Sequence, residues 1–300
     1  MGRETELLAE EKFETVVEPK NKLFDLKLRE LWNYRDLIWL FVKRDFVTMY
    51  KQTILGPAWA ILQPFLTTVV FSLVFGTIAG FSPAPGVPQF LFYMIGTITW
   101  TLFSSCITTV SSTFVSNSHV FGKVYFPRLA VPVSTALGKF IGFLIQLVFF
   151  LIFWVIFQFI GGYNFGMNLW VLLVPLLLLE TMILGVGFGV IISSLTTKYR
   201  DLMMLVSFGV QLWMYITPVA YSLAEIEQAF PAFTWVFLIN PMTPILEVMR
   251  YAFFDSYTQA SVSMTTIFGY LGISAIVSEI VLIVGIIMFN RIEKTFMDTV

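Results

Sequence analysis

The chain has one cysteine, Cys106, and one histidine, His119. An intramolecular disulfide is excluded, and so is a His-rich metal site. Charge is scarce too: 12% of residues are Asp, Glu, Lys or Arg, about half the roughly 25% of soluble domains. No residue between Gln52 and Gly122 carries a formal charge at pH 7. G-x-x-x-x-G-K-[ST] is missing, because Gly122-Lys123 and Gly138-Lys139 are each followed by an apolar residue. The chain therefore cannot cradle ATP phosphates in a P-loop, and any work against a gradient draws on a partner or an ion. His-Glu-x-x-His, a Cys pair and G-x-S-x-G are also missing, which removes the commonest hydrolytic and redox sites. The net charge of −1 says little about partners, because where the charges lie matters more than their sum; no nucleic-acid partner is expected.

Apolar sequence is abundant. Hydrophobic residues make up 57% of the chain and the mean hydropathy is +0.82. Runs of this length need a membrane, so the fold class is an all-α polytopic membrane protein. Six spans are expected, at about 57–79, 90–113, 131–160, 169–195, 202–221 and 265–290. Together with their connections they form one domain over 52–300.

The connections differ in charge. The loop at 114–130 and the residues after it carry Lys123, Arg128 and Lys139 without an acid. Lys198, Arg200, Arg291 and Lys294 fall on the same side of the expected topology, as does the charged N-terminal region. Two of the opposite connections, 80–89 and 161–168, have no charge. The third, 222–263, holds Glu225, Glu227, Glu247 and Asp255 against Arg250. Basic loops stay in the cytoplasm, so both termini are expected there.

Two further segments stand apart. Residues 1–22 are polar and acidic, with no basic n-region or apolar h-region, so the first span is expected to insert uncleaved. Residues 23–51 mix Leu28, Leu31, Trp32, Ile38, Trp39, Phe41, Val42 and Phe46 with charges at helical spacing. They read as an amphipathic helix lying in the membrane interface. Within 225–255, two apolar stretches are each too short to cross and are separated by Asn240-Pro241. They read as short re-entrant or external helices before the last span.

Two carboxylates fall inside spans, Glu180 and Glu279. A charge at the bilayer centre costs roughly 2.5–3.5 kcal/mol on insertion scales. They read either as proton carriers or as protonated acids hydrogen-bonded to a neighbouring helix. Aromatic rings are 17% of the chain. Trp59, Phe65, Trp100, Trp213, Tyr215 and Tyr221 are candidates to line a sugar path, since rings stack on pyranose C–H faces without a fixed charge. Belting at the interface is the alternative for each. Arg44, Lys51 and the Leu55-Gly56 turn beside the first span are candidates to grip a lipid pyrophosphate, or else to anchor the helix to anionic lipid.

Several short motifs occur in a telling order: Tyr50-Lys51-Gln52-Thr53 with Leu55-Gly56, Trp59 and Pro64; Asn117, Lys123, Phe126-Pro127-Arg128 and Pro132; Tyr199-Arg200-Asp201; Thr217-Pro218-Val219 with Tyr221; Asn240-Pro241-Met242 with Glu247 and Arg250; and Arg291, Glu293, Phe296 and Asp298. Over about residues 26–298 the chain resembles permease subunits of ABC-2-type transporters that export lipid-linked polysaccharides such as O-antigen, capsule or teichoic acid. The resemblance implies a homodimer in a bacterial plasma (inner) membrane, with two copies of a separate cytoplasmic ATPase that bind the ATP and Mg. This chain itself would hold no cofactor. It further implies that the interface helix and the first cytoplasmic loop (Asn117, Lys123, Phe126, Pro127, Arg128) contact the ATPase. The short external helices (Asn240, Pro241, Glu247, Arg250) would gate a channel. From their own composition, uncharged yet ring-bearing, the first and fifth spans of two protomers are expected to face it. A membrane-embedded glycan polymerase or ligase, and a proton-coupled transporter using Glu180 and Glu279, are the competing readings.

Overall fold

A computed structural model describes residues 28–51, 53–81, 86–117, 126–163, 165–197, 199, 201–257 and 263–299, side chains at 28–30 and 293–299 excepted. Lys123, Lys198, Arg200 and the segment 1–22 lie outside the described residues, as do the side chains of Lys294, Glu293, Phe296 and Asp298. Among the described residues every regular element is helical. The elements are α1 (Leu28–Asn33), α2 (Arg35–Tyr50), α3 (Trp59–Phe71), α4 (Gln89–Ser111), α5 (Thr113–Ser116), α6 (Ala130–Phe159), α7 (Val174–Thr196), α8 (Leu202–Ile216), α9 (Leu223–Ala229), α10 (Thr234–Ile239), α11 (Met242–Phe253) and α12 (Met264–Thr299).

Among the described residues, five helical stretches are long and apolar enough to cross a bilayer: Gly56–Ile78, Gln89–Ser111, Ala130–Phe159, Leu169–Thr196 and Met264–Ile292. The first, third and fourth agree closely with the expected spans, and the last is extended beyond its expected end by the rest of α12. The fifth expected span, 202–221, needs correction. Its helix stops at Ile216 because Thr217 is extended (ψ 135°), as a residue before proline must be, and Pro218 follows. At 15 residues the helix is about 22 Å long, short of the bilayer core. The expected interface helix 23–51 is likewise broken, by a turn at Tyr34 between α1 and α2.

α4 is the hub. Its neighbours include α3, α6, α7, α8 and α11, and residues all around it are buried. Close approach is made possible by small residues on α7. A Cβ at Gly185 would lie 2.8 Å from Cys106 Cβ, and one at Gly189 would lie 2.6 Å from Val110 Cβ, both on α4. Between them Gly187 faces α12, where a Cβ would meet the Leu282 backbone nitrogen at 2.9 Å. Membrane helices gain packing from such small-residue contacts because lipid supplies no hydrophobic drive between them. Gly187→Ala is therefore expected to lower stability by about 1–3 kcal/mol, since backbone rather than a flexible side chain must yield. A thermal-unfolding midpoint in detergent unchanged from wild type would refute this contact.

A smaller core binds α2 to the rest. Leu31, Ile38, Phe41 and Val42 are buried with Phe126, Leu129 and Phe289, and the Phe41 and Phe126 rings meet edge-on at 5.8 Å. Trp32, Trp39 and Leu40 are exposed on the other side. Of the aromatics expected to dip into lipid, Phe41 thus packs on protein, while the two tryptophans remain available to the interface.

Candidate functional site

A cavity of about 800 Å³ lies among α2, α3, α4, α6 and α8. A proline lies in its wall. Pro64 lies inside α3 and has no N–H to give the carbonyl one turn back, that of Ala60. Gln146 on α6 fills the gap, its Nε2 donating to Ala60 O at 3.0 Å. The same side chain leaves its Oε1 buried behind the cavity wall, without a hydrogen-bond partner among the described residues, and Gln146 is only 8% exposed.

The α4 wall is a row of hydroxyls: Thr101, Ser104, Ser105, Thr108 and Thr109. Each donates its proton back to its own helix, for example Thr101 to Thr97 O at 2.7 Å and Thr108 to Ser104 O at 2.9 Å. In a helix this is the usual local satisfaction of Ser and Thr. The lone pairs are left for the cavity, so the wall is a bank of acceptors. Opposite it, α6 presents Thr135, Lys139, Gly142 and Gln146, spaced four, three and four residues apart and hence on one face. A Cβ at Gly138 or Gly142 would touch nothing within 4 Å, so α6 leaves space there. Asp45 and Lys139 are the charged residues in the lining.

Of the candidate aromatics, Trp59 and Trp100 line this cavity. Trp59 is 48% exposed and Trp100 only 5%. Phe65 packs instead among Phe90, Phe149 and Phe153, with ring centroids 5.9–6.1 Å apart. Trp213 meets Phe103 and Phe188 edge-on at 5.2 Å. Tyr215 is 53% exposed, and its carbonyl accepts a hydrogen bond from the Tyr221 hydroxyl. Within one chain, the six rings therefore do not share a surface.

The residues expected at the entry site lie at the end of α2 and in the turn before α3. Arg44 is held by Asp45, with Nη2 to Oδ1 at 2.7 Å, and its guanidinium lies over Phe41 at 4.8 Å. Lys51 and Leu55 are exposed, and Gly56 takes a left-handed φ of +52° that only glycine adopts without strain. In the first basic loop, Phe126 and Arg128 are buried, while Asn117 donates from its side chain to Thr113 O at 3.1 Å and Pro127 is half-buried.

The segment before the last span is tightly tied into the fold. α10 and α11 meet at a 92° bend, and nearly all of α11 is buried. Asn240 makes the corner: its Oδ1 accepts from Trp213 Nε1 and from the Met242 N–H, both at 3.1 Å. Its Nδ2 donates to Thr217 Oγ1 at 2.8 Å and to Ile216 O at 3.3 Å. These bonds fasten the end of α8 to the start of α11. Arg250 and Glu247 form a fully buried pair at 3.1 Å. Arg250 also donates to Val219 O at 2.9 Å, and its guanidinium lies 3.7 Å from the Phe92 ring centroid. Tyr257 donates to Glu247 Oε2 at 2.7 Å. Burial, reinforced by the Glu247 carboxylate, pushes that phenol well above its ordinary range and keeps it a donor. Two other acids have structural partners here: Glu225 closes a capping box with Ser222, and Asp255 accepts the Gly166 N–H at 2.7 Å.

The two mid-span carboxylates face different ways. Glu279 is on the exposed side of α12. Glu180 is buried and lies 2.6 Å from Ser274 Oγ, which is itself 2.8 Å from Pro241 O. A serine has one proton, and the Pro241 carbonyl can only accept it. The arrangement is satisfied when Glu180 carries a proton and donates to Ser274.

Sequence reasoning missed Gln146 altogether and took Lys139 only as a topology signal. The signal was present in the polar residues at 135, 139 and 146, which share a face of an otherwise apolar helix. The hydroxyl run on α4 was equally visible.

Comparison with known proteins follows the same lines. Residues 36–254 match the family described as ABC-2 type transporter. The chain is 25% identical over 267 residues to an "O-antigen export system permease protein RfbA" of Klebsiella pneumoniae, an alignment covering 88% of this chain and 94% of that protein. It is 27% identical over 229 residues to a protein of the same description from Myxococcus xanthus, covering 76% and 84% respectively.

Proposed function

Because the chain belongs to the ABC-2 type transporter family, we propose that it is the permease subunit of an exporter for a lipid-linked polysaccharide, working as a homodimer with ATP hydrolysed in two separate cytoplasmic subunits. The observation that carries this reading is likeness to O-antigen export permeases along 88% of the chain and 94% of the relative. The cavity agrees with it in chemistry. Hydroxyl oxygens, side-chain amides and the rings of Trp59 and Trp100 suit a neutral, hydroxyl-rich polymer. An ion path would instead call for rings of charge or carbonyls.

The basic loops set both termini in the cytoplasm in this reading, where the loop bearing Lys123 meets the ATPase. Closure of the ATPase would then be transmitted to α6, which follows that loop directly, and to α2, which packs on it through Phe41 and Phe126. Lys123 is the better test of coupling than Arg128, whose buried position ties it to the fold.

Affinity purification of the tagged chain from its own membranes is expected to bring down an ABC ATPase subunit. Lys123→Glu is expected to cut ATP-driven polysaccharide export at least about tenfold, the loss expected when an attractive charge contact becomes repulsive. Export that proceeds without any ATPase subunit would overturn the reading.

A further inference from the structure

Lys139 is a cation in an otherwise uncharged wall. It lies nine residues after the start of α6 at Ala130, about 14 Å along the helix axis. Among the described residues no carboxylate is within 4 Å of it. Asp45, the acid that shares the cavity, acts on the Lys139 charge from a distance, but its direct contact is with Arg44 at 2.7 Å. A cation held in a half-buried wall is costly unless something anionic meets it. On the same face, seven residues or about 10 Å further along, Gln146 completes the α6 wall, its Oε1 sealed behind the surface. Across the gap the α4 hydroxyls offer further acceptors, their own protons already given to helix carbonyls. The cavity thus has a positive donor at one end and acceptors along the rest. It is complementary to a ligand with an anionic group at one end and hydroxyl donors beyond it. A simple phospholipid headgroup supplies the first without an extended row of the second.

We propose that this cavity binds the junction of a lipid diphosphate and its first sugar, with Lys139 on a phosphate oxygen and the α4 hydroxyl oxygens on the sugar hydroxyls. The assignment rests on the exporter reading for its substrate class and adds the residues that hold that substrate. Lys139 supplies a point charge with three donors, which tolerates a headgroup arriving from the membrane at varied angles. Gln146 is committed to the Ala60 carbonyl, so the sugar end is tested on α4.

The test is equilibrium binding to the full chain in nanodiscs, with empty nanodiscs as blank. The radiolabelled probes are undecaprenyl diphosphate bearing one N-acetylglucosamine, and undecaprenyl diphosphate alone. Lys139→Gln is expected to weaken both probes about tenfold, as the loss of one charge-assisted contact does, while Lys139→Arg restores binding to within about threefold. Ser104→Ala with Thr108→Val is expected to weaken the sugar-bearing probe and spare the other. Equal binding of both probes by Lys139→Gln and wild type overturns the site, as does displacement of the probes by an equimolar amount of phosphatidylglycerol. Failure of the exporter reading is seen separately: cells that export without an ATPase subunit would sink it, whatever the nanodiscs bind.

Discussion

Replacing Arg250 with leucine is expected to leave no stable, monodisperse protein. The guanidinium and the Glu247 carboxylate are both completely buried, 3.1 Å apart. Removing one member of such a pair strands the other charge away from water, at a cost of about 3–5 kcal/mol. Val219 O would lose its donor and Phe92 its cation. A whole domain is commonly stable by only about 5–15 kcal/mol. Arg250→Lys keeps the charge but not the reach to Val219 or the flat contact with Phe92, and belongs between wild type and leucine. Size-exclusion profiles and unfolding midpoints of the three proteins decide the matter. A leucine variant that elutes and melts like wild type would mean that the pair contributes nothing to the fold.

The second large effect is expected at Asn240. One side chain serves Trp213, the Met242 amide, Thr217 and the Ile216 carbonyl. Alanine removes all four bonds at once. Each buried polar group left without a partner costs about 1–3 kcal/mol, and reorganisation at the bend will recover some of it, so a total of about 2–4 kcal/mol is expected. The loss should be local at first, because α8 and α11 are joined there. Hydrogen exchange read by mass spectrometry is expected to rise in peptides covering 213–221 and 240–246 before the rest of the molecule. Uniform exchange across the chain would argue that Asn240 does not hold this corner.

Both residues stood out in the sequence for another reason, as parts of a short external gate. The gate segment's two-helix form was legible: short apolar runs, a break at Asn240-Pro241, and too few residues for a crossing. Its depth was not. Glu247 and Arg250 are three apart, a spacing that on a helix brings two side chains together. The alternative, two solvated charges, has the same spacing. What distinguishes them is contact with Val219 and Phe92, residues far away along the chain, and with Tyr257 beyond the helix end, and periodicity carries no information about those. The truncation of the fifth span differs in kind. Pro218 was plainly visible, and its effect on Thr217 is local. There the apolar count outweighed a signal that could have been read. Among the candidate channel rings, Trp59 and Trp100 meet at one cavity and Phe65 and Trp213 are absorbed into packing. Ring type alone does not separate these fates, because either surroundings would accept an apolar plane.

The second crossing helix, α4, is the least apolar of the five long ones and the most enclosed by protein. These properties belong together. A helix hidden from lipid is released from the demand for greasy side chains, which is what allows its run of threonines and serines. The same freedom has a cost during synthesis. α4 reaches the membrane before α6, α7 and α11 exist, so the surfaces that will cover it have not yet been made. Until they arrive, its hydroxyls face lipid with only their own helix carbonyls for company, and a slow downstream segment leaves the nascent chain with a poorly anchored second helix. Maturation of the molecule is thus timed by the emergence of residues far beyond the helix that most depends on them.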